Sequence, residues 1–138
     1  MAAAATLDGM SPIPTRQDSA PTRRSSSEIR RVTDDAFTAE VLESGTPVLV
    51  DFTAAWCPPC RVMKPVLVEL AAEREDLKVV QLDVDDNQET AVRYGVLSMP
   101  TFMLFRDGAP IQTLVGARPR RRLELELEQA LVEQPAGR

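Results

Sequence analysis

The chain has 138 residues, a net charge of −5, two cysteines and no histidine. That length fits one domain able to bury a core without disulfide staples; the missing histidine excludes a Cys/His nucleophilic dyad and every His-ligated metal site, and two thiols cannot fill a four-cysteine zinc site. The charge is uneven: residues 1–33 carry five basic and three acidic side chains while residues 34–138 carry 11 and 18, a net of −7 that argues against nucleic-acid binding.

No apolar run approaches the roughly 20 residues needed to cross a bilayer, so no membrane partner is expected. Met1–Leu7 has neither a basic start nor an apolar centre, and no secretory signal is expected there. Residues 1–27 are rich in Ala, Pro, Ser, Thr and Arg and too poor in large apolar residues to offset ordering entropy, which predicts a disordered tail. Arg23-Arg24-Ser25-Ser26-Ser27 also resembles part of an organelle transit peptide, but Asp8 and Asp18 favour a plain solvated tail. A cytoplasmic location is therefore expected, with an organelle as the alternative.

The folded domain is expected over 28–133, with a flexible C-terminus at 134–138. Ile29 to Val32 reads as a short edge strand. Thr33 or Asp34 should cap a helix running to about Ser44, with Phe37, Val41 and Leu42 as its apolar stripe and Gly45 as its stop. Val48–Thr53 is a continuous apolar run after Thr46-Pro47, which implies a strand buried on both faces and helices on both sides of a largely parallel sheet. The next helix should start around Cys57 and reach about Glu75, kinked by Pro65. Leu77–Val84 reads as a strand, and Asn87–Tyr94 as a short helix ended by Gly95. Thr101–Phe105 and Ile111–Val115 read as a hairpin turned by Asp107-Gly108. Arg120–Val132 is the last helix, with Leu123, Leu127, Ala130 and Leu131 facing in and the Arg118–Arg122 run as its solvated start.

The chemistry gathers at Trp56-Cys57-Pro58-Pro59-Cys60, between a buried strand and a helix. A dithiol at such a junction has few roles besides thiol–disulfide exchange, whose attacking species is a thiolate. Cys57 at the helix N-terminus feels the free amides and the positive end of the dipole, and is the expected nucleophile. Cys60, one turn in and more buried, is the expected resolving thiol. Pro58 and Pro59 both lack an N–H, which the first helical turn tolerates. Fewer donors then face the Cys57 sulfur, and Pro58 is expected to tune the thiolate pKa upward relative to a Gly-Pro pair. Asp51 is the one charge in an apolar strand; buried there, it would have a raised pKa and would serve as base for Cys60, the alternative being a side chain that reaches solvent. Pro100 in Met99-Pro100-Thr101 is either a cis proline facing the cysteines or an ordinary trans proline opening a strand.

Taken in order, Pro47-Val48-Leu49-Val50-Asp51-Phe52, Trp56-Cys57-Pro58-Pro59-Cys60, Pro65, Val84-Asp85, Tyr94-Gly95-Val96, Met99-Pro100-Thr101, Gly108 and Gly116 make the chain resemble the thioredoxin family from about Ile29 to Val132. The resemblance implies an α/β thioredoxin fold, a five-stranded mixed sheet flanked by four helices. It implies a cis Pro100, a buried Asp51 assisting Cys60, and a docking surface for client disulfides at Trp56, Pro59, Met99, Pro100, Gly116 and Ala117. It implies a protein disulfide reductase working as a monomer, without metal or organic cofactor, and reloaded by an NADPH-dependent thioredoxin reductase or an equivalent reductant. Three positions depart from the family pattern: Pro58 stands where Gly is usual, Thr53 where an aromatic is usual, and Gln81 where Lys is usual. Without that cation the Asp51 carboxyl should sit higher still. A thioredoxin-fold binding or chaperone module docking one dedicated client is the alternative reading, with metal–thiolate binding between two subunits behind it.

Overall fold

The computed structural model describes residues 29–133. The tail expected over 1–27 and the C-terminus expected over 134–138 lie outside the described residues. In chain order come β1 (Arg30–Arg31), a single π-helical turn (Thr38–Leu42), β2 (Val48–Thr53), α1 (Pro58–Glu73), β3 (Lys78–Asp83), α2 (Gln88–Arg93), β4 (Thr101–Arg106), β5 (Ala109–Val115) and α3 (Arg120–Glu133). The sheet order is β1-β3-β2-β4-β5. Strands β1, β3 and β2 run parallel, β4 is antiparallel to β2, and β5 is antiparallel to β4.

Every residue of β2 is buried, as an unbroken apolar run requires in the middle strand of a sheet covered on both faces. Side-chain alternation then sorts the core. Leu49 packs with Met63, Leu67 and Leu70 of α1 and with Leu123 and Leu127 of α3. Val48, Val50 and Phe52 pack on the opposite face with Phe37, Val41 and Ala91. Asp51 is two residues on from Leu49, so it shares the face that α1 covers.

The hairpin turns as expected through Asp107 (φ 55°) and Gly108 (φ 83°), the left-handed pair that a two-residue loop needs. Strand β5 begins at Ala109, two residues earlier than the sequence predicts. Pro110 fits because β5 is an edge strand, with a bulge opposite it between Leu104 and Phe105.

Two expectations are corrected. The helix expected from Thr33 or Asp34 to Ser44 is only the turn Thr38–Leu42. Thr33 Oγ1 does accept the Ala36 amide at 3.3 Å. The Asp34 carboxylate, however, serves a different helix: it accepts the amides of Glu89 and Thr90 at 3.3 and 2.9 Å and the Thr90 hydroxyl at 2.6 Å. Burial pushes the Asp34 carboxyl up, but the Thr90 and Glu89 donors outweigh it and hold the group below the usual range. Asn87, the residue before α2, makes no cap bond of its own. Its side chain instead accepts the Asp34 amide at 2.8 Å and donates to the Asp83 carbonyl at 3.0 Å. Nor is Arg118–Arg122 simply a solvated helix start. Helices α1 and α3 cover the same sheet face, which sets acids of α1 beside Arg120. Arg120 pairs with Glu69, Glu73 and Glu124, and the Arg118 side chain is only 7% exposed against Glu126.

Candidate active site

β2 delivers the chain from the sheet interior to the loop Ala54-Ala55-Trp56, and Cys57 caps α1. Cys57 has extended dihedrals (φ −95°, ψ 107°), which the following proline favours. Its Sγ accepts the Cys60 amide at 3.2 Å. Pro58 and Pro59 fill the first two helical positions and offer no N–H, so the third residue supplies the donor. Cys57 and Cys60 are joined by a disulfide, their Cα atoms 5.3 Å apart. Ala54 is buried beside both cysteines, and Val84 and Met99 pack against the three.

The cysteines are equally covered in this oxidised state, 2% and 3% exposed. The expectation that Cys60 is the more buried is therefore not met. What separates them is the cap: Cys57 Sγ lies at the mouth of α1 and Cys60 inside its first turn. The Met99 carbonyl oxygen is 3.5 Å from Cys57 Sγ. The Met99–Pro100 peptide is cis, which decides the alternative that sequence left open, and Met99 packs against the disulfide. The Pro100 carbonyl accepts the Gly116 amide at 2.8 Å, so Gly116 and Ala117 lie beside the proline. Trp56 is 62% exposed and donates from Nε1 to Asp85 Oδ2 at 2.9 Å. Pro58 and Pro59 are exposed, and Pro100 is buried.

Asp51 is fully buried, which removes the alternative of a solvent-facing side chain. Gln81 lies opposite it in β3, and Gln81 Nε2 donates to Asp51 Oδ2 at 3.0 Å. Among the described residues, Asp51 Oδ1 has no hydrogen-bond partner. Burial raises the carboxyl to about 6, against the lowering effect of the Gln81 amide. A neutral amide stands where a cation would have held the carboxylate charged.

The thioredoxin family model matches residues 28–129. The chain belongs to the thioredoxin family. It is 52% identical over 98 residues to the thioredoxin of Mycobacterium tuberculosis (strain ATCC 25618 / H37Rv), covering 70% of this chain and 84% of that one. It is 50% identical over 103 residues to the thioredoxin of Mycolicibacterium smegmatis, covering 72% and 92%. Against thioredoxin 1 of Synechococcus elongatus it is 48% identical over 101 residues, covering 72% and 94%. With this family come the thioredoxin fold and its activity: the chain is a thiol–disulfide oxidoreductase, a protein disulfide reductase, and the paired cysteines at the head of α1 fit that active site.

Two contacts at this site had no role in the sequence reading. Asp85 anchors the Trp56 indole; it stood in the Val84-Asp85 landmark, but nothing in sequence links it to a residue 29 positions away. Arg118 looked like one of several surface charges, and its side chain is covered where it folds onto Glu126 of α3 and the 115–116 carbonyls. The cap geometry also carries an expectation for Pro58. A glycine there restores an amide at the first helical position, so a Pro58→Gly variant should show a lower Cys57 thiolate pKa than the parent. Titration of thiolate absorbance in both reduced proteins checks this, and a lower value in the parent would refute it.

Proposed function

We propose that the reduced pair works in a fixed order. The Cys57 thiolate attacks one sulfur of a client disulfide, forming a Cys57–client bond and releasing the client's other sulfur as a thiolate. The Cys60 thiolate then attacks Cys57 Sγ, closing the Cys57–Cys60 disulfide and releasing the second client thiolate. Two electrons pass from this chain to the client, and the released thiolates take protons. The observation that carries this order is the sulfur of Cys57 serving as the cap of α1, where the Cys60 amide and the helix dipole favour its anion.

Asp51 is the proposed base for Cys60. It is buried on the face that α1 covers, and one of its oxygens has no partner among the described residues. Trp56, Pro59, Met99, Pro100, Gly116 and Ala117 are the proposed docking surface for an extended client segment. The Met99 carbonyl close to Cys57 Sγ and the exposed indole of Trp56 support that reading. Pro58 is assigned to redox tuning. The dithiol would be regenerated with electrons from NADPH through a thioredoxin reductase, or by an equivalent reductant, in the cytoplasm and with the protein acting as a monomer.

The test is the reduction potential of the Cys57–Cys60 pair, read by equilibrium with glutathione or a reference dithiol. A value near or below about −270 mV, the thioredoxin range, is expected for a general reductant. A value near about −180 mV would mark an oxidant or a specialised exchanger and overturn the proposed direction of electron flow.

A further inference from the structure

Arg118 follows Gly116-Ala117 and turns its guanidinium back over them. Nη2 donates to the Val115 carbonyl at 2.7 Å and Nε to the Gly116 carbonyl at 3.2 Å. Nη1 donates to Glu126 Oε1 of α3 at 2.6 Å. Glu126 is itself steadied by Arg122 at 3.2 Å. The Arg118 backbone amide points at Met63 Sδ of α1, 3.5 Å away. A guanidinium this buried persists where its donors are matched, and here three acceptors match them in one plane-seeking fork.

The segment gripped in this way is joined to the cysteines by a short chain of contacts. Gly116, in the left-handed region at φ 99°, donates its amide to the Pro100 carbonyl. Pro100 follows Met99, whose carbonyl lies against Cys57 Sγ. Val115 pairs with Thr101 at the start of β4. Displacing the 115–117 backbone therefore displaces the partner of the Pro100 carbonyl.

We propose that Arg118, braced by Glu126, is a positioning residue for client recognition: it holds the Val115–Ala117 backbone in the place where that backbone and Met99-Pro100 together receive an extended client segment. This rests on the docking surface proposed above. Arg118 touches neither sulfur, so it acts on the capture of a protein chain and leaves sulfur chemistry alone.

The experiment compares two substrates across Arg118→Leu, Arg118→Lys, Glu126→Gln and, as a control on the docking surface, Trp56→Ala. One substrate is insulin, a disulfide carried on a polypeptide. The other is a small aromatic disulfide, dithiobis(nitrobenzoate), which has no chain to dock. Arg118→Leu removes all three side-chain bonds, to the Val115 and Gly116 carbonyls and to Glu126, and should raise KM for insulin about tenfold, with kcat and the small-disulfide rate unchanged. Arg118→Lys keeps the charge but loses the fork and should fall between Leu and the parent. Glu126→Gln should shift KM in the same direction by less, and it carries the test together with Arg118→Lys if the Leu variant does not fold. Equal losses on both substrates would mean a structural role alone and overturn the proposal. If Trp56→Ala raises the insulin KM while the arginine variants do not, the Arg118 inference falls and the docking surface stands. If none of the variants raises it, the docking surface falls as well.

Discussion

Replacing Cys57 by serine should abolish the reduction of protein disulfides, whereas replacing Cys60 by serine should stop the reaction one step later, with the client still attached. The first variant lacks a thiolate at the head of α1. A serine hydroxyl is far too weak an acid to take its place, so turnover should drop by about a thousandfold or more, to the level of exchange by thiols in solution. The second variant keeps the Cys57 thiolate and the amide of residue 60 that faces it, so attack proceeds. Nothing then competes for Cys57 Sγ, and the mixed disulfide accumulates. Non-reducing electrophoresis after mixing each reduced variant with a disulfide-bonded client separates the two cases. A covalent complex formed by the Cys57→Ser variant and not by the Cys60→Ser variant would reverse the assigned order. The result matters because burial does not distinguish the two cysteines; only their places on the helix do.

The Asp51→Asn variant should be more stable than the parent at pH 8 and nearly equal to it at pH 4. The native carboxyl titrates at about 6 because burial disfavours its charged form, while the unfolded chain titrates near the ordinary 3.8. Between those values the native state holds the proton that the unfolded state releases. Stability therefore falls as pH rises through that window, and the loss is complete above about pH 6. Its size is about 3 kcal/mol at the upper limit, from 1.36 kcal/mol per pH unit of displacement. Asparagine keeps the volume and can still pair with the Gln81 amide after reorienting, but it has no charge to desolvate. Urea unfolding of the oxidised proteins at the two pH values measures this, and an equal gain at both would show that the carboxyl is not being ionised in place. The same variant should turn over client disulfides about tenfold more slowly, less than a general base ordinarily contributes because thiols already ionise near working pH. The parent's rate should step near pH 6, where that carboxyl titrates, and the variant's should not.

Much of this site was legible in the chain because its parts are local. Val48–Thr53 announces a doubly covered strand by its unbroken apolar run, and Cys57-Pro58-Pro59-Cys60 announces a capped helix by its prolines. The buried Asp51 follows from a lone charge in such a strand, and Asp107-Gly108 follows from turn chemistry. What stayed hidden depends on distant partners. Asp34 has the look of a cap for its own helix, yet the amides it satisfies lie 55 and 56 positions later. Arg120 reads as solvated until α3 is laid beside the acids of α1, and Arg118 until its guanidinium is seen folded onto Glu126. The comparative exposure of the two cysteines was misjudged because the docked Met99 covers Cys57 from across the chain.

The borrowed cap of Asp34 has a consequence for how this fold comes loose. A helix of six residues cannot persist in water unaided, and α2 begins on a carboxylate that lies 56 positions earlier in the chain. Asp34 in turn is held by Asn87, the residue that opens α2. Each segment thus supplies the other's missing bonds, and neither can open alone without stranding the other. The two form a single cooperative unit, bolted across the edge of the sheet. The loop from Gly95 to Met99 hangs from the end of α2. Because β1, β3 and β2 run parallel, this joint stands at the same strand ends from which the cysteine loop leaves the sheet. The lip of the active site thus inherits its firmness from the joint beside it.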